Sequence, residues 1–570
     1  MPVIWTQRYL LFGAGLWVSA LFAAIPIFAL LVLLGVMRKP AWMSGLAGVG
    51  ITFLLAVFGY RMPVLTAASA ALNGAAFGIF PIIWIVFWAI ALYRLTVETS
   101  KFEIIRDSVG RLTADARLQA LLIAFAFGAF LEGAAGFGTP VAIAAAMMTG
   151  LGFSPFRAAA LALLSNAAPG AYGGIGIPII TLAATTGLPL RSLSTVVSRI
   201  CAPVSLILPA YLILSMGGIQ AMSGIWLPTL VAGGLFACVQ WAVSTYLGPQ
   251  LTDILSASAA MGGIVLFSRF RHPELHASST SFRSTGAGMS AEATGTRAEL
   301  RLEEGAALEE AAADNVAHPG MGAVLHAWLP YGILVLCVLL WGVKPFQDLL
   351  NKESISFPWP FLNNIVKRMP PVVRVPTPYA AVFNLNWLSA AGTACMVATL
   401  LSAPCLGLNP LRFVSLLWSV ARQLLLPTIT IMSVLAIAFL MNYCGATATL
   451  GLAFAATGAM FPFFSVLLGW LGVFLTGSDT SSNALFGSLQ VVTANRLALD
   501  PILMSSANAV GGAMGKMISL QTIAVAAAAT GMSVHDQTRL FRFTFKHSVV
   551  LVTIVSAVVL LLSYLTHQYY

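Results

Sequence analysis

The stretch Leu131-Glu132-Gly133-Ala134-Ala135-Gly136-Phe137-Gly138-Thr139-Pro140 decides how this chain has to be read. One carboxylate, Glu132, stands in it with apolar sequence on both sides. A charge at membrane depth costs about 2.5–3.5 kcal/mol or more, and such residues mark ion and substrate pathways. The Gly and Pro residues that follow break the helix that would otherwise satisfy the backbone. A costly charge on a broken apolar segment points to a transport pathway through a membrane protein.

Composition agrees. Of 570 residues, 59% are hydrophobic and only 8% charged, against roughly 25% charged in a soluble domain. That predicts an all-α polytopic membrane protein with about a dozen spans of roughly 20 residues each. The apolar runs are long and do not alternate, which argues against an outer-membrane barrel. The net charge of +10 is spread over short loops without a dense basic block, the pattern of topology signals and not of a nucleic-acid surface. The six cysteines (201, 238, 337, 395, 405, 444) lie in or beside apolar segments and form no CxxC; they read as small buried hydrophobes. The first apolar run, about 10–36, is too long for a signal-peptide core and reads as an uncleaved span.

Further spans are expected near 42–60, 72–95, 193–216, 224–247, 251–268, 323–343, 385–406, 411–442 and 545–565. Residues 269–318 hold eight of the 19 acidic residues and read as a solvated linker, with an amphipathic helix at 297–313. They divide the chain into halves at 1–268 and 319–570. Residues 345–383 are rich in Pro and aromatics and are expected to pack on the membrane face. Arg38, Lys39, Lys101, Arg106, Arg111 and Arg117 place the loops after the first and third spans in the cytoplasm, with the N-terminus outside. Arg61 and the basic residues of 345–383 count against that orientation.

Two apolar regions, about 118–190 and 459–530, are cut repeatedly by Gly, Pro, Ser, Thr and Asn. Each opens with a polar break, Glu132–Pro140 and Gly477–Asn483. Each has a second break further on, Ser165–Gly174 and Asn508–Lys516. Interrupted segments at matching places in two halves point to a transporter binding site. The layout predicts re-entrant hairpins at about 118–153 and 459–495 and discontinuous helices at about 156–187 and 501–530. Together they would form an inverted repeat. Gly136, Gly138, Pro140, Pro169, Gly173, Gly174, Gly477, Gly511 and Gly512 would supply the irregular backbone.

Outside the linker only Glu132 and Asp479 lie deep in apolar sequence, one per interrupted region; Asp253 opens a span and can reach the interface. Either deep acid could carry a coupling proton, since burial favours the neutral form of a carboxyl. Asp479 could instead cap a helix, and Glu132 could be half of a structural ion pair. Lys516 could meet a substrate carboxylate or pair with one of these acids. Arg422, mid-span, is a candidate charge partner. Ser165, Asn166, Thr139, Thr480, Ser482, Asn483 and Gln521 lie at or near the breaks, where free helix N-termini attract anions; each could bind substrate or cap a half-helix. No His lies deep in a span, so a metal site or His relay is not expected, and there is no P-loop and no cofactor motif.

The 131–143 stretch resembles the signature of the lactate permease family. Gly176-Ile177-Pro178-Ile179, Arg368-Met369-Pro370-Pro371-Val372-Val373, Thr476 to Phe486, Gly515-Lys516-Met517-Ile518-Ser519 and Tyr93 to Thr99 are similar to further stretches of it. The resemblance implies uptake of L-lactate, D-lactate and glycolate with protons across the bacterial inner membrane. It also implies an inverted repeat with paired hairpins. The Ser165-Asn166 and Ser482-Asn483 pairs are similar to Ser-Asn motifs lining the substrate site in the wider transporter group. Here Leu520-Gln521 stands where Pro-Gln is expected. The implied partners are a small monocarboxylate and a proton, with oligomeric state left open. Rival readings are sodium-coupled di- or tricarboxylate uptake, a channel, or a membrane-embedded enzyme, for which no nucleophile–base pair is visible.

Overall fold

The computed structural model describes residues 4–13, 15–37, 39–110, 112–113, 115–136, 139–270, 320–532 and 534–567. Beyond residue 270 the expected polar linker, with its helix at 297–313, lies outside them, as do Gly138 and the side chain of Thr139. Among the described residues eleven helices are long and apolar enough to cross a membrane, or up to 12 if one bent pair is a single span. Helices of this kind satisfy their own backbone in lipid. Strands are few and short, and all lie between residues 5 and 6 or 355 and 385.

Both interrupted regions form a hairpin followed by a broken helix. In the first, Gly128–Ala134 turns back through Thr139–Gly150, and Pro155–Ser165 then meets Gly173–Thr186 across a break bent by 66°. In the second, Phe461–Thr476 turns back through Asp479–Arg496, and Pro501–Lys516 is separated from Leu520–Thr530 by Met517-Ile518-Ser519. The span Ala116–Ala134 is 100% buried, against 33% for Leu16–Leu34. The broken backbone is therefore wrapped in protein, the setting in which it is tolerated at membrane depth.

The hairpins open toward opposite faces. Trp5 donates its indole N–H to the Arg61 carbonyl, and strand Trp5–Thr6 pairs in parallel with Val366–Arg368. Thr449 Oγ1 donates to the Tyr9 carbonyl, and Thr493 of the second hairpin donates to the Gly451 carbonyl. These contacts gather the N-terminus, Arg61, the 355–385 segment and the base of the second hairpin on one face. The span Val64–Glu98 crosses away from that face. Beyond it Arg106 and Gly110 share a surface with Gly150 and Leu151 at the base of the first hairpin.

One expected break moves. Gly511 and Gly512 lie inside the continuous helix Pro501–Lys516, not at its interruption. A methyl at Gly511 or Gly515 would collide with the carbonyl of Val466 or Trp470. These glycines thus let two helices approach closely, the small-residue packing that membrane helices favour. Cys201, Cys337, Cys395 and Cys444 are buried as expected, whereas Cys238 and Cys405 are exposed.

Candidate functional site

The two hairpin tips and the two breaks converge. Glu132 lies in the last turns of Gly128–Ala134, where the helix dipole disfavours a negative charge. Lys516, the last residue of Pro501–Lys516, places Nζ 2.5 Å from Glu132 Oε1. The same Nζ lies 3.8 Å from Asp479 Oδ2, an ion-pair distance without a hydrogen bond. Side-chain exposure is 1% for Glu132, 2% for Asp479 and 10% for Lys516. One ammonium is therefore shared unequally between one acid from each half.

Asp479 is not the cap of its helix. Ser478 is the N-cap, accepting a hydrogen bond from Ser481 N at 3.2 Å. Asp479 instead sits in the first turn, where the dipole favours its charge. Its carboxylate has no hydrogen-bond partner.

Each acid rests on a glycine of the broken helix in its own half. A methyl at Gly173 would strike Glu132 Oε1, and one at Gly512 would lie 2.6 Å from Asp479 Oδ1. The tips repeat the relation: Gly136 abuts the Gly174 amide nitrogen, and Gly477, with φ of 73°, abuts Gln521 Oε1. In the first break Gly174, Ile175 and Gly176 all take left-handed backbone, Ile175 at φ 59°. For a β-branched residue that conformation is strained, and such strain persists only where the surroundings over-determine it. Ile175 is fully buried.

Between these elements lies a cavity of about 110 Å³ lined by Glu132, Asp479, Lys516, Thr480, Gln521 and Pro178. Clefts for drug-sized ligands hold roughly 300–1,000 Å³, so this one suits a molecule of a few heavy atoms. A larger cavity of about 710 Å³ adjoins it, sharing Gly477 and Gln521 and reaching Lys39, Gln537 and Thr538. Small, with two acids and one cation on an otherwise largely apolar wall, the site can hold a small anion and expose it to one face.

Residues 19–566 match the L-lactate permease family. The chain belongs to that family. It is 42% identical to the L-lactate permease of Bacillus subtilis over 577 residues, covering 98% of both chains. It is 41% identical to the glycolate permease GlcA of Escherichia coli, covering 99% of this chain and 98% of that one. To the L-lactate permease of Escherichia coli it is 40% identical, with 98% of each covered. A structural comparison pairs it with the YdaH transporter of Alcanivorax borkumensis at a TM-score of 0.38 and 13% identity, covering 86% of each chain.

Within this permease the expected substrate residues separate. Lys516, Thr480 and Gln521 line the cavity. Ser165 Oγ donates to its own helix at Ala162, and Ser482 Oγ donates to the Gly469 carbonyl. Asn483 is a brace between halves, donating to the Pro178 carbonyl at 3.1 Å and accepting from Asn508 at 2.9 Å. Asn166 is buried with an unpartnered amide nitrogen, and it is not among the residues lining the cavity. Pro140 is buried in the first turn of the hairpin's returning helix, and Pro169 lies at the 66° bend.

Two expectations are corrected. Arg422 is exposed, its guanidinium 5.5 Å over the Trp418 ring, so it pairs with no charge at the site. Asp253 does not reach an interface; it is 1% exposed and packs behind the first hairpin. A methyl at Gly133 would lie 2.7 Å from Asp253 Cβ. The loop before Asp253 is itself buried, with Pro249 pressed against Gly176 of the first broken helix.

Proposed function

We propose that the protein is a proton-coupled symporter that imports small 2-hydroxymonocarboxylates, namely L-lactate, D-lactate and glycolate, across the bacterial inner membrane, and that it is a transporter with no enzymatic step. The observation that carries this reading is the unequal sharing of Lys516, hydrogen-bonded to Glu132 at 2.5 Å and only ion-paired to Asp479 at 3.8 Å. Glu132 holds the ammonium in place. Asp479 occupies the position a substrate carboxylate would take.

A proton on Asp479 removes a negative charge from the cavity and leaves Lys516 free to receive the substrate anion. Thr480 and Gln521, on the same wall, are the candidates for the 2-hydroxyl and the second carboxylate oxygen. Loss of the proton restores the Lys516–Asp479 attraction and expels the substrate, so neither moves productively without the other. Two hairpins opening to opposite faces suit alternating access, in which one half rocks against the other about a fixed site.

The short-loop basic residues put Lys39 and the larger cavity on the cytoplasmic side, which makes this the inward-facing arrangement. A sodium-coupled carrier of di- or tricarboxylates is the rival. One ammonium in a cavity of about 110 Å³ favours the smaller, singly charged substrate. The test is uptake of labelled lactate into proteoliposomes under an imposed pH gradient, with glycolate, pyruvate and succinate as competitors and Na⁺ varied. Accumulation that follows the pH gradient and ignores Na⁺ supports the reading; Na⁺-dependent uptake blocked by succinate overturns it.

A further inference from the structure

Asp253 has no role in the mechanism above, and its surroundings call for one. Both of its carboxylate oxygens lack a hydrogen-bond partner, and so does Glu132 Oε2. The helix Thr252–Phe270 packs on Trp226–Tyr246, on the Leu121–Phe127 and Gly128–Ala134 segments of the first hairpin, and on Gly173–Thr186. Among the described residues, the only buried titratable group on these packed elements is Glu132; Cys238 and Tyr246 on Trp226–Tyr246 are exposed. Lys516 and the buried thiol of Cys201 act on Asp253 from further off.

Three buried carboxylates thus lie in the neighbourhood of one ammonium, which pairs with two of them, Glu132 and Asp479. Counting Lys516 as +1 and Glu132, Asp479 and Asp253 as −1 each, the ionised group carries −2 before any substrate anion arrives. Unpaired charge of that size is strongly disfavoured in a low-dielectric interior. An apolar residue at position 253 would avoid the cost, so the carboxyl is itself the informative feature.

We propose that Asp253 is a second proton-binding station of the transport cycle, linked to Asp479 through the Glu132–Lys516 pair. This rests on the proton-coupled reading above. Asp253 packs against Gly133, the residue after Glu132; Glu132 pairs with Lys516, and Lys516 with Asp479. When Lys516 is held by Glu132, a proton resides on Asp253. When the substrate carboxylate takes Lys516, Glu132 loses its partner, its side chain turns toward Asp253, and that proton passes to it: the O–H bond on Asp253 breaks, one on Glu132 Oε2 forms, and one negative charge moves the other way. The transported proton then has a resting place that does not compete with substrate for the cation. Asp253 touches no substrate and is a positioning residue for the proton.

The experiment compares wild-type, Asp253→Asn and Asp253→Glu protein in proteoliposomes, reading pH-driven lactate accumulation, lactate–lactate exchange and the pH profile of uptake. The expected result is that Asp253→Asn loses at least tenfold more accumulation than exchange and flattens the pH profile. Asp253→Glu restores accumulation with a displaced pH midpoint. Infrared difference spectra on lactate binding should contain a protonated-carboxyl band in wild type that shifts in Asp253→Glu, a readout that serves even if Asp253→Asn does not fold. Wild-type accumulation matched by Asp253→Asn with the same pH profile overturns this inference alone. So does a wild-type spectrum unchanged in Asp253→Glu. Absence of pH-driven accumulation in wild type itself overturns the symport reading and this inference with it.

Discussion

Replacing Asp479 by Asn tests the division of labour between the two acids. Asp479 Oδ2 lies 3.8 Å from Lys516 Nζ, and unit charges about 4 Å apart attract by about 4 kcal/mol at an effective dielectric of ~20. That attraction is what a substrate carboxylate must displace when Asp479 is ionised. Only part of it is recovered as affinity, because Glu132 still competes for Nζ and the Asn dipole still interacts. About 1.4–2.8 kcal/mol remains, which is a ten- to hundredfold change in dissociation constant. The sign depends on pH. Wild-type affinity should rise as pH falls, because the proton arrives with the substrate. Asp479→Asn should bind lactate ten- to hundredfold more tightly than wild type at alkaline pH, converge with it at acid pH and show no pH slope of its own. In proteoliposomes it should exchange lactate for lactate but fail to accumulate it under a pH gradient. Tenfold weaker binding at every pH, or a preserved pH slope, would refute the assignment of the coupling proton to Asp479.

Three further outcomes follow from the same geometry. Glu132→Gln leaves Lys516 without its close partner; breaking a buried pair costs about 3–5 kcal/mol. Thermal stability should fall, and both exchange and accumulation should be lost, in contrast to Asp479→Asn. Gly512→Ala places a methyl 2.6 Å from Asp479 Oδ1; overpacking of about 1–3 kcal/mol should displace that carboxylate and slow uptake, measured as initial rate at matched expression. Leu520→Pro should be nearly neutral in both stability and uptake. Leu520 is the first residue of its helix and Ser519 before it is extended, at φ −62° and ψ 137°, which is where Pro is well tolerated.

The two deep charges were legible because hydrophobic sequence leaves few reasons for an acid, and the breaks were legible because Gly and Pro punctuate helices. Sequence placed Glu132, Asp479 and Lys516 in one site, and all three line one cavity. It could not rank the pairings, since Lys516 lies 384 positions from Glu132 and the distances depend on how the halves dock. It overread Asn483 and Ser482, whose hydrogen bonds go to Pro178 and Gly469 across helix contacts that no local pattern encodes. Asp253 was missed for a different reason. An acid at the start of a span reads as interfacial unless the loop before it is buried, and here Pro249 is pressed against Gly176 of the first broken helix.

The repeat also explains why a single cation serves the site. Glu132 precedes Pro155 by 23 positions and Asp479 precedes Pro501 by 22, and both prolines open the first arm of a broken helix. The hairpin acid and the broken helix are thus in nearly the same register in each half. The arms differ in length. The first ends at Ser165 after 11 residues, whereas the second runs 16 residues to Lys516. Counted from the two prolines, Lys516 falls at the place that Gly170 holds in the first half. Gly170 in turn packs against Ala513, where a methyl would come within 2.9 Å of the Ala513 side chain. The longer arm therefore carries its terminal ammonium past the point where the breaks meet and into reach of both acids, while the shorter arm leaves room for it. A second Lys at position 170 would face Ala513 with no space. A strictly symmetric pair of halves would hold either no cation or two, and an exchangeable anion needs one that is shared.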